Sequence, residues 1–513
     1  MSLTQMLLSA AAQLFTWDCL SVLIIGVVAG MIVGALPGLS ASMAVALLVP
    51  LTFKMDPAPG LVMLTAVYTS AIYGGSVTAC LIHTPGTPAS AATAMDGFPL
   101  TKKGKGLKAV GISTISSMIG GTLSAVALLV IAPQLAKVSL WFSSLEYFLL
   151  ACFGLTIIGS MSGENMVKGL ISGALGLLFG TVGMDLLSGY PRFTFGIIPL
   201  ESGIQLVPAM IGLFAISQVM ISVEELRGGQ TKILEGSVKD LAVGSPWPSW
   251  KEMKQIMPTI GFSSVLGILI GILPGTGCDI GSWVAYNSAK KRSKHPEMFG
   301  KGAIEGIAAS ESANNAVTGG ALIPMLTLGI PGSGTCAIML GGMMIQGLTP
   351  GYELFTKQGE ITYAVILGFL IANVLMGVLG MLVAKYVVRI CVIPNAILIP
   401  LIIGLATIGA FAIQNSNFDV TIMLLFGLIG YFARKLGFAT APMILGMILG
   451  PMAEKNWNQV LLICRGDLVG YFFSRPISIV LFVMVVIGLF TPVIMRFFSK
   501  KTIGDPDVVS KED

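Results

Sequence analysis

Apolar runs follow one another along almost the whole chain, and Glu224 to Lys254 is the one polar interval of useful size between them. Runs of this length predict membrane-crossing helices. They lie near 109–131, 145–160, 169–188 and 206–223 in the first half, and near 361–388, 393–413, 418–433 and 437–452 in the second. One more, at about 470–495, is extra. Each half opens on two segments that are broken internally: 20–53 and 61–100, then 257–289 and 303–347. The first break, Gly34-Ala-Leu-Pro37-Gly38-Leu-Ser40-Ala-Ser42, returns 237 residues later as Gly271-Ile-Leu-Pro274-Gly275-Thr276-Gly277. Proline removes a helix donor and clashes with the preceding turn, and glycine adds conformational freedom, so a tip or kink is predicted at each point. Ser21 to Gly34 and Ala41 to Phe53 give arms of about 12 apolar residues, against about 20 for a full crossing, which reads as a re-entrant hairpin. Backbone unwound at membrane depth needs partners from protein or a water-filled cavity, so a tip is a place for a polar ligand.

A second pair of motifs supports the repeat. Ala71-Ile-Tyr73-Gly74-Gly75-Ser76 precedes Pro85-Gly86-Thr87 by about ten residues, as Ala316-Val-Thr-Gly319-Gly320-Ala precedes Pro331-Gly332-Ser333 by about eleven, and the two Pro-Gly breaks are offset by 246. Interrupted apolar segments at matching positions of two halves point to a transporter's midplane site. The predicted fold is an all-α polytopic membrane protein of about 11 transmembrane helices plus two re-entrant hairpins. Residues 1–223 form the first repeat, 224–256 a cytoplasmic linker, 257–452 the second repeat, and 453–513 an extra helix and tail. An odd number of crossings per half inverts the second copy. The basic residues agree: Lys54 stands alone at the base of the first hairpin, whereas Lys290, Lys291, Arg292, Lys294 and Lys301 crowd the base of the second. The loops after the broken segments reverse this, with Lys102, Lys103, Lys105 and Lys108 against Lys357. Most of the 30 lysines and arginines then fall on one side, which the positive-inside rule makes cytoplasmic, together with the C-terminus.

Composition removes the soluble classes. Of 513 residues, 54% are apolar and 11% charged, and mean hydropathy is +0.87, where soluble proteins carry about a quarter charged residues. The seven cysteines show no CxxC or finger-like spacing, which argues against disulfide and zinc frameworks. Met1 to Cys19 holds no Lys or Arg and does not read as a cleaved signal peptide.

Candidate chemistry gathers at the breaks. Ser40, Ser42, Thr84, Thr87, Ser90 and Thr93 in the first half, and Thr276, Asn314, Asn315, Ser333 and Thr335 in the second, supply neutral oxygens that suit Na⁺, while broken helix N-termini suit carboxylates. Na⁺ is expected near Ser40, Thr276, Asn314 and Ser333; the plainer alternative is that small hydroxyl residues pack helices closely. No Asp, Glu, Lys, Arg or His occurs from Ser21 to Phe53, His83 alone from Leu61 to Met95, and no Lys or Arg from Ala303 to Tyr352. A di- or tricarboxylate bound there would need co-bound cations or protons, which favours symport. Asp96, Asp279 and Glu311 are the nearby carboxylates, and intramembrane carboxylates are functional candidates by default. Glu311, Asn314 and Asn315 stand at i, i+3 and i+4, on one helical face. Asp96 either acts in the site or sits at the interface; Asp279 either ligates Na⁺, carries a proton or caps the second arm. His83 is either a hydrogen-bonded core residue or a proton-sensitive contact, and His295 is expected to be solvated.

At these residues the chain resembles the large membrane subunit of the tripartite tricarboxylate transporters, the TctA family. The resemblance spans nearly the whole length. It is carried by Gly34-Ala-Leu-Pro-Gly, Tyr73-Gly-Gly-Ser, Pro85-Gly-Thr-Pro-Ala-Ser-Ala-Ala-Thr-Ala-Met-Asp96-Gly, Gly271-Ile-Leu-Pro-Gly, Glu311-Ser-Ala-Asn-Asn-Ala and Ile323-Pro-Met-Leu-Thr-Leu-Gly-Ile-Pro-Gly-Ser-Gly-Thr. It implies a bacterial inner-membrane carrier that works with a small TctB-like membrane subunit and a periplasmic TctC-like binding protein. Such a carrier imports carboxylates on a Na⁺ or H⁺ gradient, by an elevator-like motion. A homodimer of heterodimers is compatible with it, and no nucleic acid or organic cofactor is implied. His83 stands where the family often has Asn, and Asp279 where small or apolar residues are usual; both bear on substrate and coupling ion. The expected function is symport of a citrate-like carboxylate. A passive anion channel is the alternative, and an intramembrane enzyme a weaker one, since there are two histidines and no HExxH, GxGD or GxxxxGK motif.

Overall fold

The computed structural model describes residues 3–36, 39–156, 166–185, 189–227, 244–273, 277–390 and 395–488. The first half contains α1 (Leu3–Leu14), α2 (Trp17–Gly34), α3 (Ala41–Thr52), α4 (Pro57–Ile82), α5 (Ser90–Lys102), α6 (Gly106–Val138), α7 (Ser144–Thr156), α8 (Met166–Gly180), α9 (Leu206–Ile211) and α10 (Ser217–Arg227). A π-turn, Gly212–Ile216, joins the last two. The second half contains α11 (Trp250–Ile272), α12 (Gly277–Arg292), α13 (Ile304–Leu328), α14 (Gly334–Ile345), α15 (Tyr352–Thr356), α16 (Gly359–Ile390), α17 (Asn395–Gln414), α18 (Asn417–Lys435), α19 (Ala441–Cys464), α20 (Leu468–Phe473) and α21 (Pro476–Gly488). A two-residue antiparallel ribbon pairs Gly183–Met184 with Pro191–Arg192. Among the described residues, eight helices are long and apolar enough to cross a membrane, which makes this a multi-pass all-α membrane chain.

Several boundaries differ from the predicted ones, each for a local reason. Thr16 accepts the Cys19 N–H and starts α2 at Trp17, so the first hairpin has an 18-residue arm followed by a 12-residue one rather than two half-length arms. Ser249 and Glu252 form a capping box that starts α11 at Trp250, and α10 runs to Arg227, so helices take both ends of the expected linker. Beyond residue 452, α19 continues because its polar residues are paired: Glu454 with Arg192, Asn456 with the Met452 carbonyl. The expected crossing at 470–495 is split into α20 and α21.

The chain forms two compact units, Met1–Leu140 with Gln205–Leu436, and Trp141–Ile204 with Gly437–Asp513. In the second, buried Glu146 accepts from Arg475 Nε at 2.6 Å, from Ser478 at 2.6 Å and from Ser143. In the first, α2 lies along α4 and α11 along α13. Both contacts depend on backbone reaching backbone. Gly30 and Gly34 face the carbonyls of Val67 and Ala71, and Gly267 and Gly271 face those of Ala313 and Val317. A Cβ at Gly271 would stand 2.7 Å from the Val317 oxygen and 2.9 Å from Gly320 Cα. Helices without a hydrophobic drive between them in lipid associate through such close packing. Around this frame α13 packs on α6, α4 on α16, α14 on α3, and α12 on α5.

Asp96 fixes one end of the frame. Its Oδ1 accepts the backbone N–H groups of Gly300, Gly302 and Ala303 at 2.9, 2.8 and 2.8 Å, and its Oδ2 accepts the Tyr286 hydroxyl at 2.9 Å. The fully buried carboxylate closes the loop that enters α13, pairing two N–H groups of that loop and the one at the helix N-cap, Ala303. Tyr286 rests edge-on against Phe299, with ring centroids 5.4 Å apart.

Two stability predictions follow from these contacts. Gly271→Leu forces α11 off α13 and should cost about 1–3 kcal/mol or abolish a monodisperse product. Gly261→Ala, on the same helix with nothing within 4 Å, should stay within about 0.5 kcal/mol. Asp96→Ala strands three N–H groups and should cost about 3 kcal/mol or more, whereas Tyr286→Phe loses one hydrogen bond, about 1 kcal/mol. Thermal unfolding of the detergent-purified chain, followed by size-exclusion fluorescence, checks both.

Candidate functional site

The described breaks in α4–α5 and α13–α14 are built alike. The chain leaves α4 at His83 in a left-handed conformation (φ 55°) and leaves α13 at Gly329 (φ 72°). It then folds back on the preceding helix: the Gly86 N–H donates to the Gly75 carbonyl at 3.2 Å. Gly86 also sits against the Gly34 carbonyl, and Gly332 against Ala321 and the Gly271 carbonyl, so each turn lies on the end of a neighbouring hairpin helix. Hydroxyls accept backbone N–H groups where both returning helices begin, from the turn before α5 and from the N-cap of α14. Thr87 Oγ1 accepts the Ser90 N–H at 3.3 Å, and Ser333 Oγ accepts the Cys336 N–H at 3.2 Å. Ser40 caps α3 in the same way, accepting from Met43 at 3.2 Å.

The arms meet across the halves. Ser42, at the start of α3, lies 2.8 Å from Thr335, at the start of α14. Asp279, at the start of α12, is exposed and stands by the Ala89 N–H, just before α5. Tyr68 on α4 directs its hydroxyl to Ser333 Oγ at 3.3 Å and lies by Cys336 and Cys278. Where α4 crosses α13, Asn315 Nδ2 donates to Thr69 Oγ1 at 3.1 Å, and Thr69 donates to Asn373 Oδ1 on α16 at 2.7 Å. Tyr73 reaches Thr114 on α6 at 2.7 Å.

Two of the three residues expected to share a face have opposite surroundings. Glu311 is fully buried and accepts hydroxyls from Ser117 at 2.8 Å and Ser113 at 3.2 Å, and it also meets Thr93. Ser76 points toward the same carboxylate outside hydrogen-bond geometry. Asn314, equally buried, has a partner for neither its amide nitrogen nor its oxygen. The Asn315 oxygen and the Ser70 hydroxyl are unpaired as well. An unpaired buried amide costs about 1–3 kcal/mol, so atoms of this kind call for a bound partner.

Other candidates take plainer positions. His83 is exposed and stacked on Phe98 (centroids 4.8 Å apart), with Lys102 Nζ 4.8 Å from the same ring. Thr84 donates to the Ile82 carbonyl at 3.3 Å. His295 is exposed and pairs with Glu297 at 3.3 Å, as its basic surroundings predict. Of the four residues near which Na⁺ is expected, Ser40 and Ser333 use their hydroxyls as caps and the Asn314 side-chain oxygen is unpaired. Pro37, Gly38, Pro274, Gly275 and Thr276 lie outside the described residues. Pro85 is exposed and Pro331 buried. No group of three His, Cys, Asp or Glu among the described residues has metal-site geometry.

Sequence reading missed Tyr68, Thr69, Asn373, Ser113 and Ser117. The last two carried a signal: Ser113, Ser116, Ser117, Gly120 and Gly121 recur at helical spacing on α6, a polar and small face in an otherwise apolar helix. The others lie in apolar runs, Tyr68 and Thr69 side by side with Ser70, and Asn373 alone, where nothing local distinguishes them from packing residues.

The chain is 36% identical over 454 residues to the Agrobacterium vitis "Uncharacterized 52.8 kDa protein in TAR-I ttuC' 3'region", covering 88% of this chain and 89% of that one. It is 39% identical over 212 residues to the "Uncharacterized protein in TAR-II ttuC' 3'region" of the same organism, covering 41% of this chain and 87% of that one. The family described as Tripartite tricarboxylate transporter TctA matches residues 20–445, a stretch that takes in the four broken segments, and the chain belongs to that family.

Proposed function

We propose that the chain is the carboxylate-translocating subunit of a bacterial inner-membrane symporter, working with a small membrane subunit and a periplasmic binding protein. The observation that carries the reading is the meeting of opposite halves at their broken helices, Ser42 with Thr335 and Asp279 with Ala89, in segments free of lysine and arginine. A di- or tricarboxylate held there meets hydroxyls, amides and helix N-termini, and its remaining charge must be offset by a co-transported Na⁺ or H⁺.

Recurrence of contacts supports two inverted copies. The pairs Gly30 with Val67 and Gly34 with Ala71 match Gly267 with Ala313 and Gly271 with Val317. Gly86 against Gly75 and Gly34 matches Gly332 against Ala321 and Gly271. Ser42 with Thr335 matches Asp279 with Ala89. All obey the same two offsets, 237 for the hairpins and 246 for the broken helices that follow them. In an elevator mechanism the hairpins and broken helices move together as the body that carries the substrate.

Two measurements test the reading. Uptake of succinate, malate and citrate by the reconstituted three-component complex, with Na⁺ and pH gradients imposed singly, should follow one of those gradients and vanish with the matching ionophore. Uptake indifferent to ionophores, or bilayer currents far above carrier turnover, would sink it. Asn314→Leu removes two unpaired buried polar atoms, so it should raise thermal stability by about 1–3 kcal/mol. The same change should lower transport about tenfold or more, because the amide is kept for a ligand; unaltered transport would take Asn314 out of the site.

A further inference from the structure

The hydroxyls around Glu311 can be counted. Six contacts form one network: Ser113 to Oε2, Ser117 to Oε2, Thr93 to Oε1, Thr93 to Ser310 Oγ at 2.9 Å, and Ser310 Oγ to the Gly306 and Ile307 carbonyls at 3.0 and 3.2 Å. Four hydroxyls supply four protons. The Gly306 and Ile307 carbonyls only accept, so the Ser310 proton is shared between them; the Thr93–Ser310 contact then takes the Thr93 proton, and nothing is left for the contact between Thr93 and Glu311. A proton on Glu311 Oε1 completes the set, donating to Thr93 while Oε2 accepts from Ser113 and Ser117. With the carboxyl ionised, Thr93 has one proton for two contacts and one of them fails.

Charge around the network agrees. Glu311 is fully buried, and no ion pair among the described residues reaches it. Of the titratable groups on elements packed against α13, Cys80 on α4 faces it. Tyr68 and Tyr73 on α4 are bonded to Ser333 and Thr114, and Asp96 on α5 to Tyr286 on α12. Lys108 on α6 pairs with Glu252 on α11, Asp279 on α12 stands by Ala89, Cys336 on α14 lies by Tyr68, and Glu353 on α15 pairs with Lys357. An isolated buried carboxylate without a cation is costly, and taking up a proton is the ordinary remedy.

We infer that Glu311 holds a proton in this conformation and is the group on which a coupling proton crosses. The coupling half of this statement rests on the carrier reading above; the protonated half does not. The position ties the proton to the break in α4–α5. Thr93 lies on the arm that follows Thr87, and Ser76 adjoins Gly75, whose carbonyl anchors Gly86. If α5 withdraws from α13, both Thr93 contacts are lost together and the carboxyl keeps Ser113 and Ser117 on α6, two donors that suit the ionised form. Binding and release of the proton thereby follow closure and opening of that arm. Asp96, three residues along α5, is the contrast: it accepts three backbone N–H groups, fixed donors of a kind that Glu311 lacks.

The test is infrared difference spectroscopy of the full chain in lipid nanodiscs, titrated with pH. A protonated-carboxyl C=O band at neutral pH should disappear in Glu311→Gln, whose amide nitrogen donates to Thr93 and whose oxygen accepts from Ser113 and Ser117, so that the variant folds. Ser310→Ala frees the Thr93 proton for the carboxylate, so the band should be lost at a lower pH, by about half to one unit, the worth of one neutral hydrogen bond. In the reconstituted complex, succinate, malate or citrate uptake should acidify the lumen, and Glu311→Gln should bring that acidification to background. No Glu311-dependent band at neutral pH, or a Ser310→Ala band titrating as in the unaltered chain, overturns the protonated assignment whether or not transport occurs. A band accompanied by carboxylate uptake that moves no protons overturns the coupling role and leaves the carrier reading standing.

Discussion

Backbone polar groups that leave a helix inside an apolar slab have no water to fall back on, and each one unpaired costs several kcal/mol. The structure answers this constraint with contact between backbones. Gly86 and Gly332 press the turns against neighbouring hairpin helices, and glycines on α2 and α11 let those helices approach α4 and α13 closely enough to receive them. A side chain at any of these positions would separate elements whose unwound ends depend on one another. The positions of Ser42, Thr335, Asp279 and Ala89 are consequences of that approach.

The same scarcity of charge gives the interior carboxyl groups different work. Asp96 gathers three backbone N–H groups and a tyrosine hydroxyl, all aimed at a negative charge, and it holds the entry to α13. Glu311, two turns into that helix, meets only hydroxyls, which both donate and accept and so can serve either protonation state. Fixed N–H donors favour the ionised form, whereas hydroxyl partners fit either form equally. Asn314, one turn further, is left without partners. From the entry of α13 onward the polar groups thus pass from a carboxylate on fixed donors, through a carboxyl among hydroxyls, to an amide without partners.

Much of this was legible in the order of residues. Pro-Gly in an apolar run announces a break, and four such breaks at two offsets announce a repeat, because neither depends on what lies across the fold. The polarity of Glu311, Asn314 and Asn315 on one helical face was legible for the same reason. Helix lengths were less so: Thr16 and the Ser249–Glu252 box add turns beyond the apolar run, and Arg192 lets α19 carry Glu454.

By itself the sequence determined a multi-pass helical chain, the places where its helices break, and the absence of lysine and arginine around those breaks, since these follow from local sterics and from the cost of charge in an apolar medium. Only the tertiary structure decided what each polar group meets. Asp96 became a clamp, Asn315 part of the α4–α13 crossing and Glu311 the centre of a hydroxyl network, because their partners lie 190 or more residues away and no local pattern encodes such meetings.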